Sequence, residues 1–179
     1  MLPCFWIFTI KTDSYGLIQR YKARVVILGN FQQLDHNELS QFIAPVINNT
    51  SIKFLLGLAV NFGFEIRYLD AKTAFLHANL DQEIYMKQVP GYEIGGANRV
   101  LRLRKSIYGL RISALNWYLF LRETLINLGF KCCLTDNCIF YSDGIIIGVY
   151  VDDLIALYRS LTWFLQFLKA IQKRINITY

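Results

Sequence analysis

The sequence predicts an α+β layer fold, an antiparallel sheet packed by helices, on three observations. Residues 64–70 and 138–158 contain short apolar-rich runs that read as strands, and 50–63 and 113–128 repeat apolar residues every three or four positions. The later runs are joined by turns of only a few residues, which makes neighbouring strands antiparallel. Hydrophobic residues make up 54% of the 179 positions and charged residues 18%, enough apolar material for a core and too little charge for a disordered tail.

The apolar opening, Met1 to Phe8, reads as a strand cut from a longer chain. Trp6 to Lys11 and Tyr21 to Leu28 are strands of one hairpin, reversed by the turn formers Thr12-Asp13-Ser14-Tyr15-Gly16, and the second carries Lys22 and Arg24. Asn30 to Asn49 is irregular and polar. Thr50-Ser51 is the expected cap of a helix with Phe54, Leu55, Leu58 and Ala59 on one side, stopped by Gly63. Phe64, Ile66 and Tyr68 alternate with Glu65 and Arg67 along a strand that ends on Asp70. Leu115, Tyr118, Leu121, Leu125 and Leu128 mark an amphipathic helix from Ser113 to Leu128 that should cover a sheet face. Cys138 to Tyr141 and Ile145 to Tyr150 flank Ser142-Asp143-Gly144, and a second reversal at Val151-Asp152-Asp153 leads into Leu154 to Tyr158. This is a three-stranded meander with the Asp pair at a hairpin tip, followed by a helix on Leu161, Leu165, Leu168 and Ile171. There is no internal repeat or linker.

Nineteen Lys+Arg against thirteen Asp+Glu give a formal charge of +6, which favours a polyanionic partner. The four cysteines lack paired CxxC spacing and no secretory leader precedes them, so an intracellular, reducing location is expected. The longest apolar runs, such as Phe54 to Val60 and Ile145 to Val151, are far shorter than the roughly 18 residues of a bilayer span, so no membrane partner is expected.

Adjacent aspartates between apolar strands raise each other's pKa unless a cation compensates them. Mg²⁺ takes hard oxygen ligands and commonly shares them with substrate phosphates, so Asp152 with Asp70 could hold one or two ions for phosphoryl transfer. From spacing alone a solvated turn at Asp152-Asp153 and a helix cap at Asp70 are the readings to beat. The surrounding motifs carry more. Tyr-Lys-Ala-Arg at 21–24, Asp-Ala-Lys-Thr-Ala-Phe-Leu at 70–76, Ile-Tyr-Met at 84–86, Ser-Ile-Tyr-Gly-Leu at 106–110 and Tyr-Val-Asp-Asp-Leu at 150–154 stand in one order. That ordered set, from about Trp6 to about Thr178, resembles the reverse transcriptase domain of copia-type long-terminal-repeat retrotransposon polyproteins.

The resemblance implies a polymerase palm with fingers, about 1–50 mainly fingers and about 51–179 mainly palm with some fingers elements, the thumb being absent from this partial domain. It implies RNA-directed DNA synthesis, nucleotidyl transfer from a deoxynucleoside triphosphate to a primer 3′-hydroxyl, with Asp70, Asp152 and Asp153 as catalytic metal ligands for Mg²⁺ or Mn²⁺. Lys22 and Arg24 would approach the triphosphate, Phe75 would lie beneath its sugar, and Tyr150 with Val151 would sit beside the primer end. An ordinary core aromatic at Phe75 and a solvated strand face at Lys22 and Arg24 are the alternatives their neighbours allow. Implied partners are an RNA or DNA template-primer, deoxynucleotides, and the thumb, ribonuclease H and integrase of a polyprotein, in a cytoplasmic particle or the nucleus. Lys72, Lys87, Arg102, Arg104, Lys105 and Arg111 could track a nucleic-acid backbone. Tyr108, Trp117 and Tyr118 could stack on bases or fill a core, and Asp136 and Cys138 match structural positions.

Some positions depart from the pattern. Ile112-Ser113-Ala114-Leu115 replaces the usual Gln-Ala-Pro-Arg, Leu28 stands where a second cation is usual, and Tyr158 replaces a Gly after the hairpin. With the end at Tyr179, these imply a partial, degenerate copy with a folded palm and little turnover, one alternative being nucleic-acid binding without catalysis. A two-metal nuclease leaves Phe75 and the tyrosine-led hairpin without a role.

Overall fold

The computed structural model describes residues 1–32, 42–96 and 98–179. Much of the irregular stretch expected between Asn30 and Asn49 thus lies outside the described residues. The expected first hairpin forms from β1 (Cys4–Thr12) and β2 (Ile18–Ile27), and its turn closes where Asp13 accepts hydrogen bonds from the Tyr15 and Leu17 amides. Helix α1 (Asn49–Phe62) starts earlier than expected: its cap is Asn48, whose side-chain oxygen accepts from the Thr50 amide at 2.9 Å, and not Thr50-Ser51. Asp136 fixes that start by accepting from the Asn48 amide at 3.1 Å. Gly63 ends α1 as expected, in the left-handed region.

The remaining elements are β3 (Glu65–Ala71), β4 (Asn79–Lys87), β5 (Val100–Lys105), α2 (Ser113–Asn127), β6 (Lys131–Cys132), β7 (Ile139–Ser142), β8 (Ile145–Tyr150), β9 (Asp153–Tyr158), α3 (Leu161–Ile171) and β10 (Ile177–Thr178). An antiparallel six-stranded sheet runs β10-β3-β9-β8-β7-β6, with the expected meander β7-β8-β9 inside it. The β4–β5 hairpin, a separate two-stranded ribbon, was not foreseen. Charged residues interrupt both of its strands, and only Leu80, Ile84, Met86 and Leu103 pack inward.

Two apolar cores result. The large one unites the six-stranded sheet with all three helices, and Leu69, Leu125, Phe140, Ile147, Leu154 and Phe164 in it are fully buried. Because side chains alternate across a strand, burying Leu69 and Ala71 of β3 turns Tyr68 and Asp70 to the opposite face. On α3 the buried residues are Phe164, Phe167, Leu168 and Ile171, while Leu161 and Leu165 of the expected stripe are exposed. The buried set follows the i, i+3, i+4, i+7 spacing of one helix face, and Trp163, on another face, is exposed. Tyr158 is also absorbed, stacked on Phe164 with ring centres 4.5 Å apart and its hydroxyl donating to Glu65 at 2.7 Å.

The small core holds Leu2, Ile27, Ile84, Met86 and Leu110 between the two hairpins. Leu2 bridges to β4, its amide donating to the Tyr85 carbonyl and its carbonyl accepting from Lys87. Backbone meets backbone where β2 reaches the 106–111 segment. The Ile27 amide donates to the Tyr108 carbonyl at 2.9 Å, and a Cβ on Gly109, where φ is +94°, would lie 1.9 Å from the Ile27 carbonyl oxygen. A Cβ on Gly29 would lie 2.1 Å from the Gly109 carbonyl oxygen, so only glycine fits either side of this seam. Arg111 ties the same seam by donating from Nε to the Gly29 carbonyl at 3.1 Å.

Candidate active site

Strand register builds the acid site. Tyr150 of β8 pairs with Asp153 of β9, and Asp153 pairs with Asp70 of β3, so these three residues form one cross-strand row. Asp152 lies in the two-residue hairpin tip, Val151-Asp152, and its carbonyl accepts from the Ala71 amide at 2.9 Å, locking the tip to β3. Val151 holds φ +55°, an unusual conformation for a β-branched residue. Its carbonyl accepts from Nε1 of Trp117 at 2.6 Å, and that indole is 1% exposed. Trp117 is thus a core residue that also positions the hairpin carrying Asp152 and Asp153. Tyr118 is core as well, its hydroxyl donating to the Asn137 carbonyl.

Tyr68, two residues before Asp70 and on its face of β3, has its phenol pushed up to about 12, first by interaction with the Asp153 carboxylate and then by burial. Asp70 is ion-paired, its Oδ2 lying 2.5 Å from Lys72 Nζ. Among the described residues no three acidic, histidine or cysteine side chains form a ready-made metal cage. The donor set still fits a hard cation: the carboxylates are oxygen ligands brought to one sheet end, and Mg²⁺ commonly needs only one or two of them beside phosphates.

The cationic strand faces this row. Lys22 and Arg24 are both half-buried, and burial and then Arg24, Arg20 and Lys11 draw the Lys22 ammonium below its ordinary value while Asp70 opposes them. Lys22 therefore lies within electrostatic reach of the acid. Arg24 sits 5.4 Å from the Tyr108 ring centre, and Phe75 meets the same ring edge-on at 4.6 Å. Burial raises the Tyr108 phenol, Asp152 raises it further, and Arg24 pulls it the other way. Tyr108 thus stands between the cations and the carboxylates, a position that sequence reasoning left open between base stacking and core. Its signal was the Gly after it, which the close approach to Ile27 requires.

Phe75 lies in a short 3-10 turn, Ala74–His77, directly after β3, and is half-buried rather than fully enclosed. Tyr150 is 53% exposed at the end of β8. Of the basic residues suggested as backbone contacts, Arg102 pairs with Glu83 at 2.8 Å and Lys105 donates to the His77 carbonyl. Burial alone would raise Asp136, but hydrogen bonds from Ser51 and from the Asn48 and Cys138 amides hold its carboxyl below the ordinary value, a structural role. Ile112 precedes α2 without a side-chain cap and offers no polar group.

A family model described as reverse transcriptase (RNA-dependent DNA polymerase) matches residues 1–179. The retrovirus-related Pol polyprotein from transposon RE2 of Arabidopsis thaliana is 37% identical over 99% of this chain, and that from transposon RE1 is 38% identical over 87%. The Pol polyprotein from transposon TNT 1-94 of Nicotiana tabacum is 36% identical over 86%. The chain spans only 11% to 12% of the length of these relatives. A family match over residues 1–179, three Pol relatives and an acid row facing cationic and aromatic side chains agree, and this chain belongs to the reverse transcriptase family found in copia-type Pol polyproteins.

Proposed function

We propose that the site performs RNA-directed DNA synthesis, transferring a nucleotidyl group from a deoxynucleoside triphosphate to a primer 3′-hydroxyl. The observation that carries this is the placement of Asp70 and Asp153 in one cross-strand row, with Asp152 locked beside them and Lys22 and Arg24 opposite. Asp70 and Asp152 would hold Mg²⁺, or Mn²⁺ in its place, with Asp153 as the third acid. Bound there, the ions supply charge stabilisation for the attacking and leaving oxygens.

The protein's own groups bind and orient. Lys22 and Arg24 receive phosphate oxygens, the guanidinium as a fixed fork. Tyr108 keeps Arg24 aimed by lying under it, and Phe75 closes the floor beneath the sugar, where its bulk disfavours a 2′-hydroxyl. Tyr68 stands beside Asp153 on the same sheet face, and Tyr150 offers an exposed ring beside the primer end. In this reading the two-hairpin core is the base of the fingers, the six-stranded sheet is the palm, and the remaining Pol segments are partners.

A second reading, template binding without turnover, is favoured by Ile112, where a polar residue would position template and nucleotide. Primer extension on an RNA template with Mg²⁺ separates the two. The proposed activity requires extension that Asp152→Asn abolishes. Binding that survives Asp70→Asn with a steep salt dependence, and no extension by the wild type, would establish the second.

A further inference from the structure

The ion pair in the acid row points beyond the three aspartates. Lys72 follows Asp70 by two residues, and its ammonium lies 2.5 Å from the Asp70 carboxylate. Its backbone is held on both sides: the amide donates to the Asn176 carbonyl at 2.7 Å, and the carbonyl accepts from the Thr73 hydroxyl at 2.7 Å and lies 3.1 Å from His77 Nε2. The chain then turns sharply at Thr73, φ +51°. The stem of Lys72 therefore starts from a fixed point, while its head, 40% exposed at the side chain, is free to pivot.

An ammonium and a divalent cation compete for one carboxylate, because two positive centres a few ångströms apart repel. A cation arriving at Asp70 expels the Lys72 head but not its base. The expelled ammonium stays beside the cation, where the oxygens of any polyphosphate bound to that cation must also lie. We infer that Lys72 is an exchangeable counter-ion, which neutralises Asp70 before the divalent cation binds and then contacts the polyphosphate of the incoming nucleotide. This rests on the proposed role of Asp70 and Asp152 as cation ligands.

The two halves of the role demand opposite signs in one variant. Titration of the 179-residue chain with Mn²⁺, followed by electron paramagnetic resonance, should show Lys72→Met binding the ion roughly fivefold more tightly than wild type, the effect of one unit charge a few ångströms away in water. With Mn²⁺ saturating, inorganic triphosphate should bind Lys72→Met roughly fivefold more weakly. Lys72→Arg, which keeps the charge, should restore both affinities and guards against a folding artefact in the Met variant. Unchanged or weaker Mn²⁺ binding by Lys72→Met, or undiminished triphosphate binding, overturns the assignment. Asp70→Asn supplies the separate control. If it leaves Mn²⁺ binding intact, the cation site itself is refuted and the Lys72 role with it; if it weakens binding while Lys72→Met changes nothing, only the Lys72 role falls.

Discussion

The large core draws its buried side chains from a six-stranded sheet and three helices, whereas the small core rests on Leu2, Ile27, Ile84, Met86 and Leu110 between two hairpins. The three candidate carboxylates stand on the first, and Lys22 and Arg24 on the second. Asp70, Asp152 and Asp153 are thus fixed by strand register and by hydrogen bonds to Ala71 and Trp117. Lys22 and Arg24 ride on a two-stranded hairpin whose Phe8, Ile10, Ile18 and Tyr21 are exposed. A thinly buried hairpin opens at lower free energy than a core sheet. The acids, with Lys72 paired to Asp70, thus stand on the more deeply buried half of the candidate site and Lys22 and Arg24 on the thinner half, joined through the glycine seam and Tyr108.

Substitutions on either side of that seam should separate the halves. The largest loss is expected from Leu69→Ala, which empties a fully buried position beside Asp70 and should cost about 2 to 5 kcal/mol in chemical denaturation. A cost under about 1 kcal/mol would show that the sheet is not the rigid half. Gly109→Ala forces a Cβ into the Ile27 carbonyl at positive φ and should cost on the order of 3 kcal/mol. Hydrogen exchange should then quicken in β1 and β2 while β8 and β9 stay protected; uniform quickening would mean that the cores do not open separately.

A smaller effect, about 1 to 2 kcal/mol from the lost hydrogen bond alone, is expected from Trp117→Phe, which keeps an aromatic six-membered ring but removes the pyrrole N–H that the Val151 carbonyl accepts. Amide shifts confined to 150–153 would confirm that the indole positions the hairpin, and an unchanged hairpin spectrum would refute it. The last is a pH effect within the large core. Burial first, and nearby acidic groups next, push the Cys138 thiol up to about 12 from 9.0. The folded state therefore keeps a proton that the unfolded state releases, so this stability is complete below pH 9 and falls as pH rises towards 12. Urea midpoints for wild type should decline across that interval more steeply than those of Cys138→Ala.

Local chemistry made much of this legible. Asp143-Gly144 and Val151-Asp152 reverse the chain between apolar strands, and the alternation ending on Asp70 places that carboxylate at a strand end. These signals span a few residues and survive folding unchanged. The cap of α1 was misplaced because Asn48, Asn49, Thr50 and Ser51 all suit a cap, and the choice fell to Asp136, 88 residues away from Asn48. The exposed side of α3 was misjudged because periodicity does not say which of several apolar residues meets the sheet.

The sequence by itself determined the family and the α+β class and singled out the three acids as candidates, since ordered motifs and strand alternation are properties of neighbouring residues. Only the tertiary structure decided that Asp70 stands opposite Asp153, that Trp117 secures the strained hairpin, that Tyr108 links Arg24 to Phe75, and that Lys72 occupies the Asp70 carboxylate. The physical reason is that register, close backbone approach and charge pairing join side chains through space, and apart from Lys72 none of these partners is close to its mate in the chain.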